Sequence, residues 1–238
     1  MKTLFTTALV AALGFSSIAH AGVVNVIDFG EFANGDAVTS ATSSGGLVVD
    51  VETVANPGGF GPAVAFDTNN AANGDFDLEA PVERASTGDV VDLGNVLIIP
   101  DDLSPLSDSG AGGTITFDFG QAITFNSIDV IDAGSFEISF LDAAGDVFES
   151  SIFSATGLDT TGTETALFDT FTFNLANVYG IIFDFGPSSI SSAVNSASSG
   201  GIDNLVFEVA EVPIPGAIPL LLTGIAGLRV ASRKKKKA

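Results

Sequence analysis

SFEISF, at Ser135–Phe140, alternates strictly: Phe136, Ile138 and Phe140 fall on one side, Glu137 and Ser139 on the other. Successive side chains of a β-strand point to opposite faces, so this is the pattern of a strand with one buried and one wet surface. The chain continues LDAAGDVFE at Leu141–Glu149, where Gly145 can supply the positive φ of a hairpin turn. DVFESSIF (146–153) then supplies the returning strand. The same signature recurs in GTITFDFG (113–120), AITFNSIDVID (122–132), TFTFNLA (170–176), YGIIFDFG (179–186) and IDNLVFEVA (202–210).

No long stretch of helical period occurs between residues 22 and 211. Many short alternating runs separated by Gly, Asn, Asp and Ser predict an all-β domain, a β-sandwich or jelly roll. The roughly 190 residues of this segment suffice for one core without disulfides. A phrase repeats as VIDFG (26–30), TFDFG (116–120) and IFDFG (182–186). Its unequal spacings predict a recurring strand end rather than an internal repeat, with Asp facing solvent between two inward apolar residues.

The charge distribution is lopsided. All 29 acidic residues lie between Asp28 and Glu211, whereas the eight basic residues are Lys2, Arg84, Arg229, Arg233 and Lys234–Lys237. Residues 22–211 thus carry one Arg against 29 carboxylates, a formal −28. Such a body repels nucleic acid, whose binding depends on basic groups neutralising phosphates. There is no Cys, and the one His is His20. Without His or Cys after residue 21, and with no Lys before the tail, Ser-His-Asp, Cys-His and Ser-Lys catalysis are excluded from the body.

The two ends read as addresses. MKTLFTTALVAALGFSSIAHAG has basic Lys2, an apolar run and small residues Ala19 and Ala21, the pattern of a signal peptide (1–21) removed by signal peptidase before Gly22. At the other end, Val212-Pro213-Ile214-Pro215 is stiff and extended. Residues 218–230 are apolar except Arg229 and span roughly 20 Å as a helix, at ~1.5 Å per residue. The closing RKKKK, Arg233, Lys234, Lys235, Lys236 and Lys237, favours the cytoplasmic side of a membrane, and the stem of Arg229 can reach the same interface.

This ending resembles the PEP-CTERM class of bacterial sorting signals, in its VPLPA-type variant. Val212, Pro213, Pro215, Gly216 and Ala217 match the motif; Ile214 stands where the archetype has Glu. The resemblance implies a sorting segment at 212–238, recognition by an exosortase-type membrane enzyme, transient anchoring in the inner membrane, and delivery to the cell surface or extracellular matrix beside exopolysaccharide. Residues 60–208 also resemble jelly-roll modules of other exported proteins with such tails. The matching phrases are Asp67–Leu78, Gly94–Ile99, Asp101-Asp102 and Ile202–Phe207.

Three chemistries are open to the body 22–211. Asp67, Asn69, Asn73, Asp75 and Asp77 offer oxygen ligands around Gly74, with Asp101, Asp102 and Asp203 as further candidates; Ca²⁺ prefers such ligands. The spacing is not that of an EF-hand, and the same residues serve equally well to cap turns. Carbohydrate binding suits the scaffold, and Tyr179 is the one ring with a polar edge, since Trp is absent. A secreted hydrolase would need a pair of carboxylates with one pKa raised, which no spacing singles out. The expectation is an exported, non-catalytic surface or matrix protein of structural or adhesive role. The alternatives are a Ca²⁺-dependent carbohydrate-binding module, then a carboxylate hydrolase.

Overall fold

The computed structural model describes residues 22–70, 75, 77–103, 106–154, 156, 158, 166–186 and 200–209. The predicted signal helix with Ala19 and Ala21, the motif Val212–Ala217, the apolar helix and the basic cluster Arg229–Lys237 lie outside these residues. Among the described residues every regular element is a strand, and no helix is long and apolar enough to cross a membrane.

Among the described residues fourteen strands run in chain order. They are β1 (Val23–Ile27), β2 (Ser40–Thr42), β3 (Val48–Ala55), β4 (Val64–Asp67), β5 (Val82–Arg84), β6 (Val90–Val91) and β7 (Asn95–Ile98). After them come β8 (Pro100–Leu103), β9 (Leu106–Asp108), β10 (Gly113–Ile131), β11 (Ser135–Leu141), β12 (Val147–Ser154), β13 (Ala166–Phe185) and β14 (Gly201–Val209). The SFEISF segment is β11, and LDAAGDVFE forms its hairpin with β12. Gly145 takes φ 81°, and its N–H donates to the Asp142 carbonyl at 3.0 Å.

Two strands, β10 and β13, are long enough to belong to both layers of a sandwich. The first half of β10 (113–118) pairs with β3 on one side and with 180–185 of β13 on the other. That half of β13 pairs in turn with β11, and β11 with β12. The second half of β10 (123–131) pairs with 168–178 of β13 and with β14. β14 carries β1 and β7 on its far side, and β7 carries β4. We call these layers sheet I (β2-β3-β10-β13-β11-β12) and sheet II (β4-β7-β14-β10-β13-β5-β6, with β1). The register breaks between Asp118 and Ile123 and around Phe125–Ser127, where bulges turn the strand from one sheet into the other. Pairing is antiparallel except for β5 on β13.

The main core lies between the sheets. Ile115, Phe117, Phe136, Ile138, Phe140 and Phe183 come from sheet I, and Phe125, Ile128, Val130, Leu205 and Phe207 from sheet II. Phe136 is its hub, with ring centroids of Phe153, Phe171 and Phe183 at 4.7, 4.9 and 4.9 Å. Each fully buried ring contributes roughly 1.5–3 kcal/mol by leaving water. A smaller core covers the outer face of sheet II, where Leu78, Leu93 and Leu106 pack on Phe66, Val96, Ile98, Ile131 and Phe168.

The repeated phrase keeps the same inward and outward facing at all three places. In VIDFG, TFDFG and IFDFG the residues flanking Asp are buried, while Asp28 and Asp118 are exposed and Asp184 is half-buried. The Gly30 and Gly120 N–H groups donate to Oδ1 of Asp28 and Asp118 at 3.2 and 2.8 Å. Asp28 thus closes the turn after β1, whereas Asp118 braces the bulge inside β10, where the strand continues instead of ending as the sequence predicts.

Candidate functional site

Among the described residues, none covers the outer face of sheet I around Asp50, Glu52 and Asp118. Strand register lines up Asp50 of β3, Asp118 of β10, Gly180 of β13 and Leu141 of β11 as successive neighbours across four strands. Gly180 leaves the middle of this row without a side chain. A Cβ there would lie 3.0 Å from the Phe117 carbonyl oxygen and 3.1 Å from Leu141 Cδ1. Beside the row, Glu52 stands opposite Thr116. Over its end rise the β11–β12 turn (142–145) and Tyr179, half-buried where β13 leaves sheet I. Together they enclose an open cleft of about 660 Å³.

The cleft is acidic. Asp50, Glu52, Asp118 and Asp142 line it, and among the described residues no Lys or Arg does. Asp118 and Asp142 are partly spent on turns, since Asp142 Oδ1 accepts from the Ala144 and Asp146 N–H groups at 2.8 and 3.1 Å. Asp50 and Asp118 are direct cross-strand partners of like charge, an arrangement that costs stability unless something offsets it. The one basic residue of the body, Arg84, is engaged elsewhere: with Asp169 at 3.6 Å, Thr170 Oγ1 at 2.6 Å and the Phe168 ring at 4.4 Å.

The predicted metal ligands are distributed over several places. Asp67 Oδ1 accepts the Asn69 N–H at 3.0 Å, and Asn69 Nδ2 donates to Asp92 at 2.8 Å, so both take part in turn capping. Asp75 is buried instead against β9, where its Oδ2 accepts the Asp108 N–H at 2.7 Å and its carboxyl meets those of Asp77 and Asp108. Asp108 also accepts the Gly200 N–H. Burial is the main force pushing the carboxyls of Asp75 and Asp108 upward in pKa. Asp101 accepts from Ser107 Oγ at 2.6 Å, Asp102 lies on the exposed β8, and Asp203 is buried on β14 beside Asp129. Asn73 and Gly74 fall outside the described residues. Among the described residues, no group of three or more His, Asp or Glu side chains is arranged to hold a metal ion.

Sequence reasoning singled out Tyr179 but missed Asp50, Glu52 and Asp118 as its neighbours. The alternation of VVDVETVA does place Asp50 and Glu52 on the wet face. That β3 docks against β10, some sixty residues later, has no local signal. Asp108 and Asp129 were missed for the same reason.

No family model matches the sequence, and no curated protein matches it significantly. Among solved structures, the chain is similar to a fucose-binding module of Streptococcus pneumoniae (9% identity, 76% of this chain and 100% of that one, TM-score 0.31). It is similar to a DUF4465 family protein of Bacteroides caccae (12%, 81% and 95%, TM-score 0.32) and to discoidin II of Dictyostelium discoideum (9%, 65% and 60%, TM-score 0.29). At this distance no binding residue carries over to the present chain.

Proposed function

We propose that this chain is an exported, non-catalytic glycan-binding module that takes its saccharide in the sheet I cleft. One observation carries the reading: an open cleft of about 660 Å³ brings the single tyrosine of the chain together with Asp50, Glu52 and Asp118. A tyrosine ring offers an apolar face to the C–H side of a sugar and a hydroxyl at its rim. Carboxylates accept hydrogen bonds from sugar hydroxyls, and such charge-assisted bonds are the strong ones. The acidic lining repels uronate-rich or sulfated polymers, so the ligand class is a neutral or amine-bearing glycan.

Delivery belongs to the same proposal. The leader ending at Ala21 exports a jelly-roll-type body, and the segment 212–238 holds it for an exosortase-type enzyme that passes it to the cell surface or matrix. Exopolysaccharide is then the ligand at hand. Deleting 212–238 should release the protein without surface attachment; surface display that survives the deletion overturns the sorting part. Dependence of that binding on Ca²⁺ is a separable part of the proposal.

A glycan array probed with the full chain tests the binding reading. Retention of neutral or amine-bearing glycans, lost in Tyr179→Ala, is the expected result. No retained glycan, or retention indifferent to Tyr179, overturns it. Turnover of a bound glycan overturns the non-catalytic part, and repeating the array in chelator decides the Ca²⁺ part.

A further inference from the structure

On the opposite side of the molecule, the outer face of sheet II buries a second acidic group that the cleft does not use. Asp129 of β10 and Asp203 of β14 face each other in strand register and are 8% and 1% exposed. Their side chains end a chain of hydrogen bonds that starts at the only basic residue of the body. Arg84 Nη1 donates to Thr170 Oγ1 at 2.6 Å, and Thr170 Oγ1 donates to Asp129 Oδ1 at 2.5 Å. Asn204 Nδ2 then donates to both Asp129 Oδ2 and Asp203 Oδ2, each at 3.0 Å. Asn204 reaches both because it adopts φ 47° beside the register shift between Ser127 and Asp129.

The chain stops one atom short. Among the described residues Oδ1 of Asp203 has no hydrogen-bond partner, and it is sealed from solvent. A buried carboxylate oxygen left unpaired is costly, and two carboxylates opposed across strands repel one another as well. Asp28 adds a third negative charge to the field at Asp203, while Arg84 reaches no further than Thr170, Asp169 and the Phe168 ring. Burial, with the charges of Asp129 and Asp28 behind it, pushes the Asp203 carboxyl up to about 9. What this place lacks is positive charge beside one specific oxygen atom.

We propose that Asp203 Oδ1 and the Asp129 carboxylate hold a Ca²⁺ ion on the outer face of sheet II, in a site distinct from both the cleft and the Asp75–Asp77–Asp108 group. A cation satisfies the orphaned oxygen and removes the repulsion between the pair in one step. Ca²⁺ fits better than Mg²⁺. It accepts irregular shells of six to eight oxygens, including backbone carbonyls such as a bulged strand presents, whereas Mg²⁺ keeps several waters that a residue 1% exposed has no room for. The ion ties β10 to β14 next to the bulge that turns β10 between sheets, so its role is structural.

Thermal melts of the full chain test this, in chelator and then with CaCl₂, with MgCl₂ as control, for the wild type, Asp203→Asn and the double variant Asp75→Asn/Asp77→Asn. Asn keeps the shape of Asp203 and a hydrogen-bonding amide while removing its charge, so the variant is expected to fold. With free Ca²⁺ at 100 times its Kd, wild-type Tm should rise by about 5 °C or more, with little response to Mg²⁺. The rise should persist in the Asp75/Asp77 variant and vanish in Asp203→Asn. A Ca²⁺ shift that survives in Asp203→Asn, or that also disappears in the Asp75/Asp77 variant, overturns the assignment. No shift in the wild type overturns it too, and leaves a shared proton as what settles the pair. Glycan retention is not read in this experiment, so its failure is separate from failure of the cleft.

Discussion

The two sheets share one core but treat their outer faces in opposite ways. Among its described residues sheet I leaves its outer face open, with Asp50 and Asp118 in one row, Glu52 beside it and Gly180 as bare floor. Sheet II packs a second small core on its outer face and buries Asp129 and Asp203 on β10 and β14. The same chemical group therefore meets two environments. On sheet I a carboxylate is solvated and available to a ligand; on sheet II it is desolvated and must find a proton or a cation. In a body with one Arg, burial rather than salt bridging decides what each acid can do.

The contrast is broken or sharpened most strongly at the core the sheets share. Phe183→Ala removes a ring that is fully buried, stacked on Phe136 and tilted against Phe185, and should cost about 3–5 kcal/mol in urea unfolding. Asp118→Asn on the open face should stay within about 0.5 kcal/mol. Comparable losses for the two would mean that the open face is part of a packed interface, and the comparison would fail.

Next in size come two glycines, one in each sheet. A Cβ on Gly201 would sit 3.0 Å from Cγ2 of both Ile131 and Val96 and 3.2 Å from Cγ2 of Ile98, all inside a packed layer. Gly201→Ala should cost about 1–3 kcal/mol by overpacking. Gly180→Ala meets one backbone oxygen and the flexible end of Leu141, so its cost should be smaller, while the new methyl narrows the cleft floor and weakens glycan retention. Equal melting shifts, with retention unchanged, would remove Gly180 from the site. Tyr179→Ala should lower retention tenfold or more with little change in Tm, because the ring is only half-buried.

What the sequence made legible follows the range of each interaction. Alternation within SFEISF, TITFDF and LVFEV assigns inward and outward residues correctly, because strand facing is set by neighbours two positions apart. The LDAAGD turn and the Asp of each DFG phrase are equally local. The transfer of β10 and β13 between layers was not legible, since it depends on bulges whose register is set by partners far along the chain. The cleft failed to appear for the same reason: Asp50, Asp118, Gly180 and Leu141 come from four strands, and no spacing relates them. The Asp- and Asn-rich run 67–77 looked like one ligand loop. Capping takes up Asp67 and Asn69, whereas Asp75 turns inward to Asp108.

The smallest effect probes the boundary between the two environments. Glu137 of β11 and Asp184 of β13 are cross-strand partners on the open face, both half-buried. Burial first, and the charge of Glu137 second, holds the Asp184 carboxyl above its ordinary range. A carboxyl raised in the folded state keeps its proton to higher pH than it does unfolded. Its contribution to stability is therefore full below its ordinary value near 3.8 and declines as pH rises through the folded value. Glu137→Gln removes the repulsion only where Asp184 is ionised. The variant should gain about 0.2–1 kcal/mol over wild type at pH 7 and nearly nothing at pH 4, read from urea midpoints at both pH values. A gain of the same size at both would mean that burial alone raises Asp184. In that case the open face already behaves, at this position, like the closed one.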